Sequence, residues 1–543
     1  MGGLLPLPAV AQLGPLGTYA LHPYWGVGVW TTPGYLPETL LQLSKTDSIV
    51  GISWPYSTSN AVLQTTTSLS PTQEWIAVTN QPVESGANEK RTVTLATTND
   101  QQFFRLCGLE TNRIPVFEFA IFYDGVLEFS TGNTMFINGR VHANGPIYTG
   151  SSSSLTFGET VTTASDISSP PRNGTGPPWL YTGAYNGTPP LITNTPVLSL
   201  SVSNDPRILI EMPALGENPN SPTGQMRLFN QAQVVLLISD TTVTAKIQAS
   251  VSGAVPGADP SPITITSYLT NAIALSNTAV LARDFPFLTL TNSFYDQRED
   301  KTIVTTQVDV GKYAKWITTN SSVLAKFPSG SGTYPTILYA TDNRPNTASQ
   351  LSGVRLVNGA APPRNGGLGW SLATPNPLYV WGDYNVTNAT MVHSSYLAST
   401  NTTATIPSAL MSDAVTLLSG SWQDSTSFTA SSSGPNASST ITVNAAILTG
   451  IVASTGNTAA TFSGGVHNLP RLLENWTASR DVWLNTSLIN LYNSTKATGQ
   501  FVPPGSGSYY TAPTRHFSFD PNFKDPSKLP PGTPLVSATM PPN

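Results

Sequence analysis

Only one cysteine, Cys107, stands in the whole chain, which excludes an intramolecular disulfide framework and a multi-cysteine zinc site. Beside Leu106 and Leu109 it reads as a small buried residue, with an intermolecular bridge as the alternative. Charge is scarce as well: Asp, Glu, Lys and Arg make up 10% of the residues, against about 25% in ordinary soluble domains. Solvation must therefore rest on neutral polar side chains. The 25 basic and 30 acidic residues leave a formal charge of -5, and no basic cluster exists to neutralise a phosphate backbone, so nucleic acid is not an expected partner. No apolar run reaches the length of a membrane span. The opening "MGGLLPLPAVAQLGPLG" lacks a basic stretch and holds three prolines, so it does not read as a signal peptide. Nucleophile-elbow, zinc-protease, P-loop and dinucleotide-binding motifs are all missing. A β-structured glycan-active enzyme needs none of these, so catalysis stays open as the minority reading.

What is present is a β-rich text. With 39% hydrophobic residues, 11 Trp, 19 Tyr and 19 Phe, the chain has enough apolar material for a large core. From Ile114 onward, short apolar runs are separated by Gly or Asn, as in "MFING", "GPIYTG" and "SLTFG". Phe117, Phe119, Ile121 and Tyr123 share one parity, the period of a strand with one face buried. Such runs, punctuated by residues that tolerate left-handed backbone angles, predict the rungs of a parallel β-helix-like stack with Asn or Gly at the corners.

The expected fold is mainly β, a parallel β-helix-like stack with an inserted β-rich region and few short helices. Residues 1–110 would form a β-rich covering or assembly segment and 111–170 the first rungs. Residues 171–350 would be the insertion, entered through a Pro/Gly-rich linker at 168–192, and 351–543 the resumed rungs. "PRILIEMPAL" reads as a buried strand, and a hairpin is expected around Ser239-Asp240. Helices are expected at 309–327, at 406–420 on the spacing of Leu410, Val415 and Leu418, and in "GVHNLPRLLENW", which would turn Leu472, Leu473 and Trp476 inward.

The ordered series "AIFYDGVLEF", "MFINGRVHANGPIYTG", "SFYDQREDK", "VDVGKYAKW", "GVRLVNG", "NPLYVWGDYN", "DAVTLLSGSWQDS", "VNAAILTGIV", "FSGGVHNLPRLLENW" and "PTRHFSFDPNF" resembles a group of large bacterial secreted proteins. These are labelled PilX-like or type IV pilus assembly-associated and are otherwise uncharacterised. The likeness covers roughly residues 110–540. It implies an extracellular or cell-surface location and supplies no catalytic residues. The prepilin-type N-terminal helix of that group is not visible here. The group's recurring polar positions fall on His142, Asn144, Arg298, Glu299, Arg355, Asn358, Asp383, Asn385, Asn468, Arg471 and Glu474.

Four sets of residues stand out on their chemistry. "SFYDQREDK" gathers Asp296, Arg298, Glu299 and Asp300, which could bind a sugar or a cation or could close an ion-paired turn. Arg140, His142 and Asn144 alternate along one strand face and suit a structural polar ladder. Asp383, Asn385 and Asn388 could wrap calcium, the one cofactor considered, although they lack the spacing and acidic count of an EF-hand loop. Asn-x-Ser/Thr sequons at Asn173, Asn186, Asn320, Asn385, Asn388, Asn401, Asn436, Asn475, Asn485 and Asn493 offer glycosylation sites in a host with that machinery. With no complete catalytic or metal site, the expectation is a structural or adhesive surface protein that self-associates into a homo-oligomer, filament or layer. A carbohydrate-binding or glycan-active β-helix protein, with surface glycans as ligands, is the alternative.

Overall fold

The computed structural model describes strand segments between residues 11 and 108 and, of residues 113–538, all but 132–134, 152–154, 169–190, 201–204, 250–258, 260, 270–278, 365–366, 388–394, 431–433, 456–460, 477–479 and 503–507. The chain divides into two compact units, Met1–Asn112 and Arg113–Asn543. In the first, a four-stranded antiparallel sheet centred on Ile49–Pro55 and Lys90–Ala96 and a second sheet carrying Ala61–Thr66 and Phe103–Gly108 share a small core of Val50, Ile52, Leu63, Val93 and Phe104. The side chain of Cys107 lies outside the described residues.

The second unit is mainly β, with few short helices. Its strands pair mostly in parallel, and their spatial order differs from their chain order. Val234–Ile238, Ile337–Asp342, Trp370–Trp381, Ser408–Leu418, Ala446–Thr449 and Leu488–Asn490 follow one another side by side. Leu488–Asn490 then pairs in parallel with Phe119–Tyr123, which carries the series on through Arg140–Ala143, Val161–Thr163 and Leu191–Ile192. Strands late in the chain thus add to the side of Phe119–Tyr123 opposite Arg140–Ala143. Further parallel ladders run alongside, among them Leu127–Thr131 with Ile147–Ser151, Met135–Ile137 with Leu155–Phe157, and Ile441–Asn444 with Asp481–Asn485 and Thr514–Ser518. Within 171–350, Leu228, Val234 and Leu338 belong to the same apolar cluster as Ile121 and Leu488.

Burial on both faces explains where sequence periodicity misleads. All five residues of Phe119–Tyr123 are buried, so the one-sided alternation read there does not hold. All eleven residues of Ser408–Leu418 are buried in a strand, which corrects the helix expected at 406–420. A strand covered on both faces and both edges loses its period of two, and Leu410, Val415 and Leu418 match a helical spacing by coincidence. The helix expected in "GVHNLPRLLENW" is instead a 3-10 turn, Val466–Asn468, followed by the strand Pro470–Leu472 paired with Val415–Leu417. Leu472, Leu473 and Trp476 are nevertheless buried. "PRILIEMPAL" opens not as a strand but as a 3-10 helix, Pro206–Leu209, because the Asp205 side chain accepts a hydrogen bond from the Arg207 N–H and Pro206 suits the first turn.

Other expectations hold. Val234–Ile238 and Thr242–Ile247 form the hairpin around Ser239-Asp240. Helices occupy Val310–Thr319 and Ser321–Lys326, separated by Asn320, whose side chain caps the second. Trp370–Trp381 pairs first with Ile337–Asp342 and then with Gln350–Val357, and its register shifts between Thr374 and Pro377. Asn376 holds that fork: its amide donates to the carbonyls of Asp342 and Ser352, and its oxygen accepts from the Asp342 N–H. Most of the linker, 169–190, lies outside the described residues. Among the described residues no helix is long and apolar enough to cross a membrane.

Candidate functional site

The charged motif at 296–300 folds inward rather than forming an open site. Asp296, Arg298 and Glu299 are buried, and only Asp300 is exposed. Asp296 accepts hydrogen bonds from the N–H groups of Arg298 and Glu299 and from the Tyr379 hydroxyl at 2.8 Å. Arg471 donates to Glu299 at 2.6 Å and to the Ala497 carbonyl at 2.7 Å. Gly499 completes the closure, its N–H donating to Glu299 and its carbonyl accepting from Arg298. A Cβ at Gly499 would come within 2.1 Å of the Arg298 carbonyl oxygen, so only glycine fits. Two carboxylates and two guanidiniums thus neutralise one another inside the protein. Burial, with Glu299 nearby, pushes the Asp296 carboxyl up to about 6, and burial beside Arg471 pulls Arg298 down to about 9. In this buried ion cluster each carboxylate oxygen of Asp296 and Glu299 accepts at least one hydrogen bond from the protein.

The remaining named residues also anchor strands. His142 contacts the Thr162 hydroxyl at 2.7 Å on the adjoining strand and Asn144 Oδ1 at 3.0 Å. Asn144 donates to Asp124 and to the Leu198 carbonyl and accepts from the Leu198 N–H. Arg140 pairs with Glu118 at 2.7 Å and lies over the Phe119 ring. Burial lowers the His142 pKa, which favours its neutral, doubly bonded form. Arg355, fully buried, makes a two-pronged pair with Asp424 and donates to Gln307. Glu474 accepts from the Ser419 N–H and hydroxyl beside a polar hollow of about 550 Å³, and burial pushes its carboxyl up to about 7.

Asn385 is 1% exposed, donates its amide to the carbonyls of Ile406 and Asn444, and accepts from the Ile406 N–H. Of the three residues considered for calcium, Asn385 has its oxygen engaged by a backbone N–H, Asp383 accepts from the Thr442 N–H, and Asn388 lies outside the described residues. Among the described residues no group of three or more His, Cys, Asp and Glu side chains is placed to hold a metal ion. Asn385 continues as a ladder: Asn444 donates to the Asn385 carbonyl at 2.9 Å, and Asn485 donates to Asn444 Oδ1 at 2.6 Å. Of the sequon asparagines, Asn385 and Asn485 are enclosed, each 1% exposed. Asn436 and Asn493 are exposed, Asn320, Asn401 and Asn475 are half-buried, and Asn173 and Asn186 lie outside the described residues.

The residue-by-residue reading missed one feature, a pocket of about 300 Å³. It lies where the strand Thr514–Ser518 approaches Met135–Ile137. Among the described residues these two strands share no ladder; Asn138 joins them, accepting from the Phe519 N–H at 2.7 Å and donating to its carbonyl. Phe136 and Arg515 line the pocket, together with His516, which stacks on Trp483 at 3.8 Å and 10°. His467 borders it with both ring nitrogens buried and, among the described residues, without a hydrogen-bond partner. Alternating "TRHFSF" was legible as a strand, but nothing local showed that it meets residue 136. Comparison with family models, curated proteins and solved structures finds no match to this chain.

Proposed function

We propose that this chain is an extracellular structural or adhesive surface protein, a β-helix-like stack that self-associates into a filament or layer. The observation that carries the reading is the long parallel strand series of the second unit and the state of its two ends. Among the described residues, Leu191–Ile192 pairs only with Val161–Thr163, and Ile263–Tyr268 pairs only with Thr242–Ile247. Leu191, Ile192 and Tyr268 are exposed. A strand edge with unpaired N–H and C=O groups beside exposed apolar side chains favours addition of another chain. The low charge content weakens repulsion between copies. Buried charges tied up in ion pairs and hydrogen bonds favour architecture over catalysis, and the resemblance to secreted pilus-associated proteins agrees with a surface location.

Electron microscopy of the protein at its native source surface, with mass determination of the extracted material, tests this. Ordered polymers of the chain are the expected result. A monomer at every concentration, with no ordered array at the surface, overturns it.

A further inference from the structure

We propose that the pocket between Thr514–Ser518 and Met135–Ile137 binds a carboxylated pyranose, a hexuronic acid residue of an acidic polysaccharide. The inference goes beyond self-association and does not depend on it. A volume of about 300 Å³ is at the small end of ligand pockets and suits a single ring. Its rim offers flat aromatic surface: Phe136 is 54% exposed, and the His516 imidazole is held against Trp483 and fixed by Asp481 at 3.0 Å. Rigid aromatic faces bury the axial C–H face of a pyranose at little entropic cost.

Arg515 supplies the choice of charge. Arg140, Arg207, Arg227, Arg283, Arg344, Arg355 and Arg471 each pair with a carboxylate. Arg515 makes no ion pair among the described residues; its guanidinium donates to the Tyr510 hydroxyl at 3.0 Å and lies over that ring. A guanidinium left without an anion in a partly apolar pocket is matched by a planar carboxylate.

His467 supplies the complement for hydroxyls. Burial and the charge of Arg515 pull its pKa down to about 3, so the ring stays neutral, with one nitrogen a donor and the other an acceptor. Two unpartnered polar atoms of opposite character are costly to leave unsatisfied. Both nitrogens are closed to solvent in this structure, so a hydroxyl that donates and accepts meets them only when the His467 ring turns toward the pocket.

The full chain is titrated by isothermal calorimetry and saturation-transfer NMR with methyl glucuronide, galacturonate oligomers, methyl glucoside and benzoate. Saturable binding of the uronates is expected, with the glucoside weaker by about ten-fold or more, the worth of one charge-assisted contact. Arg515→Gln should weaken the uronate by a similar factor, Arg515→Lys should restore part of it, and Phe136→Ala should weaken both sugars, with unchanged circular dichroism in each variant. Absence of saturable uronate binding, equal affinity for the glucoside, unchanged affinity in Arg515→Gln, or tighter binding of benzoate would each overturn the proposal.

Discussion

Arg471 and Glu299, 172 residues apart in the chain, meet as a buried ion pair at 2.6 Å. Their pairing ties the strand Pro470–Leu472 to the turn after Ser293–Asp296, and Gly499 closes the far side through Glu299 and Arg298.

Removing one partner leaves the other charged and enclosed. Arg471→Met is expected to lower unfolding free energy by about 3 kcal/mol or more, whereas Arg471→Met with Glu299→Leu should lose less, because no lone charge is left behind. Urea denaturation of the single and double variants measures the difference. Equal losses in both would show that lost packing dominates.

Glu474 makes stability fall as pH rises. Its folded-state pKa is about 7, above the ordinary 4.5, so the folded protein holds a proton that the unfolded chain releases. Its contribution is fully present below about pH 4.5 and is lost as pH rises to about 7, a span worth up to about 3 kcal/mol. Asp296, raised to about 6, acts in the same direction. Denaturation midpoints from pH 4.5 to 8 should decline, and Glu474→Gln should flatten much of that decline; an unaltered slope would show that Glu474 does not titrate in this range.

Asn444 sits in the middle of the asparagine ladder. Asn444→Ala removes the donor to the Asn385 carbonyl and the acceptor for Asn485, leaving buried polar groups unsatisfied at a cost of about 2 kcal/mol. Hydrogen exchange should quicken at 384–386 and 484–486 before it does elsewhere in the second unit.

Expression in a glycosylating host discriminates among the sequons. Peptide mass spectrometry of folded material should find Asn385 and Asn485 unmodified, with occupancy confined to accessible sites such as Asn436 and Asn493. A glycan at Asn385 in natively folded protein would contradict the enclosed ladder.

Composition and local pattern by themselves determined the mainly β class, the scarcity of helices, the short Gly- and Asn-punctuated strands, the hairpin at Ser239-Asp240 and the helical stretch at 309–327. These depend on turn chemistry and capping, which act over a few residues. Tertiary structure alone decided that Leu488–Asn490 stacks against Phe119–Tyr123, that Ser408–Leu418 is a strand, that Arg471 finds Glu299, and that Phe136 and Arg515 border one pocket. Burial on both faces erases the period that marks a strand, and contacts between residues hundreds of positions apart leave no trace in local spacing.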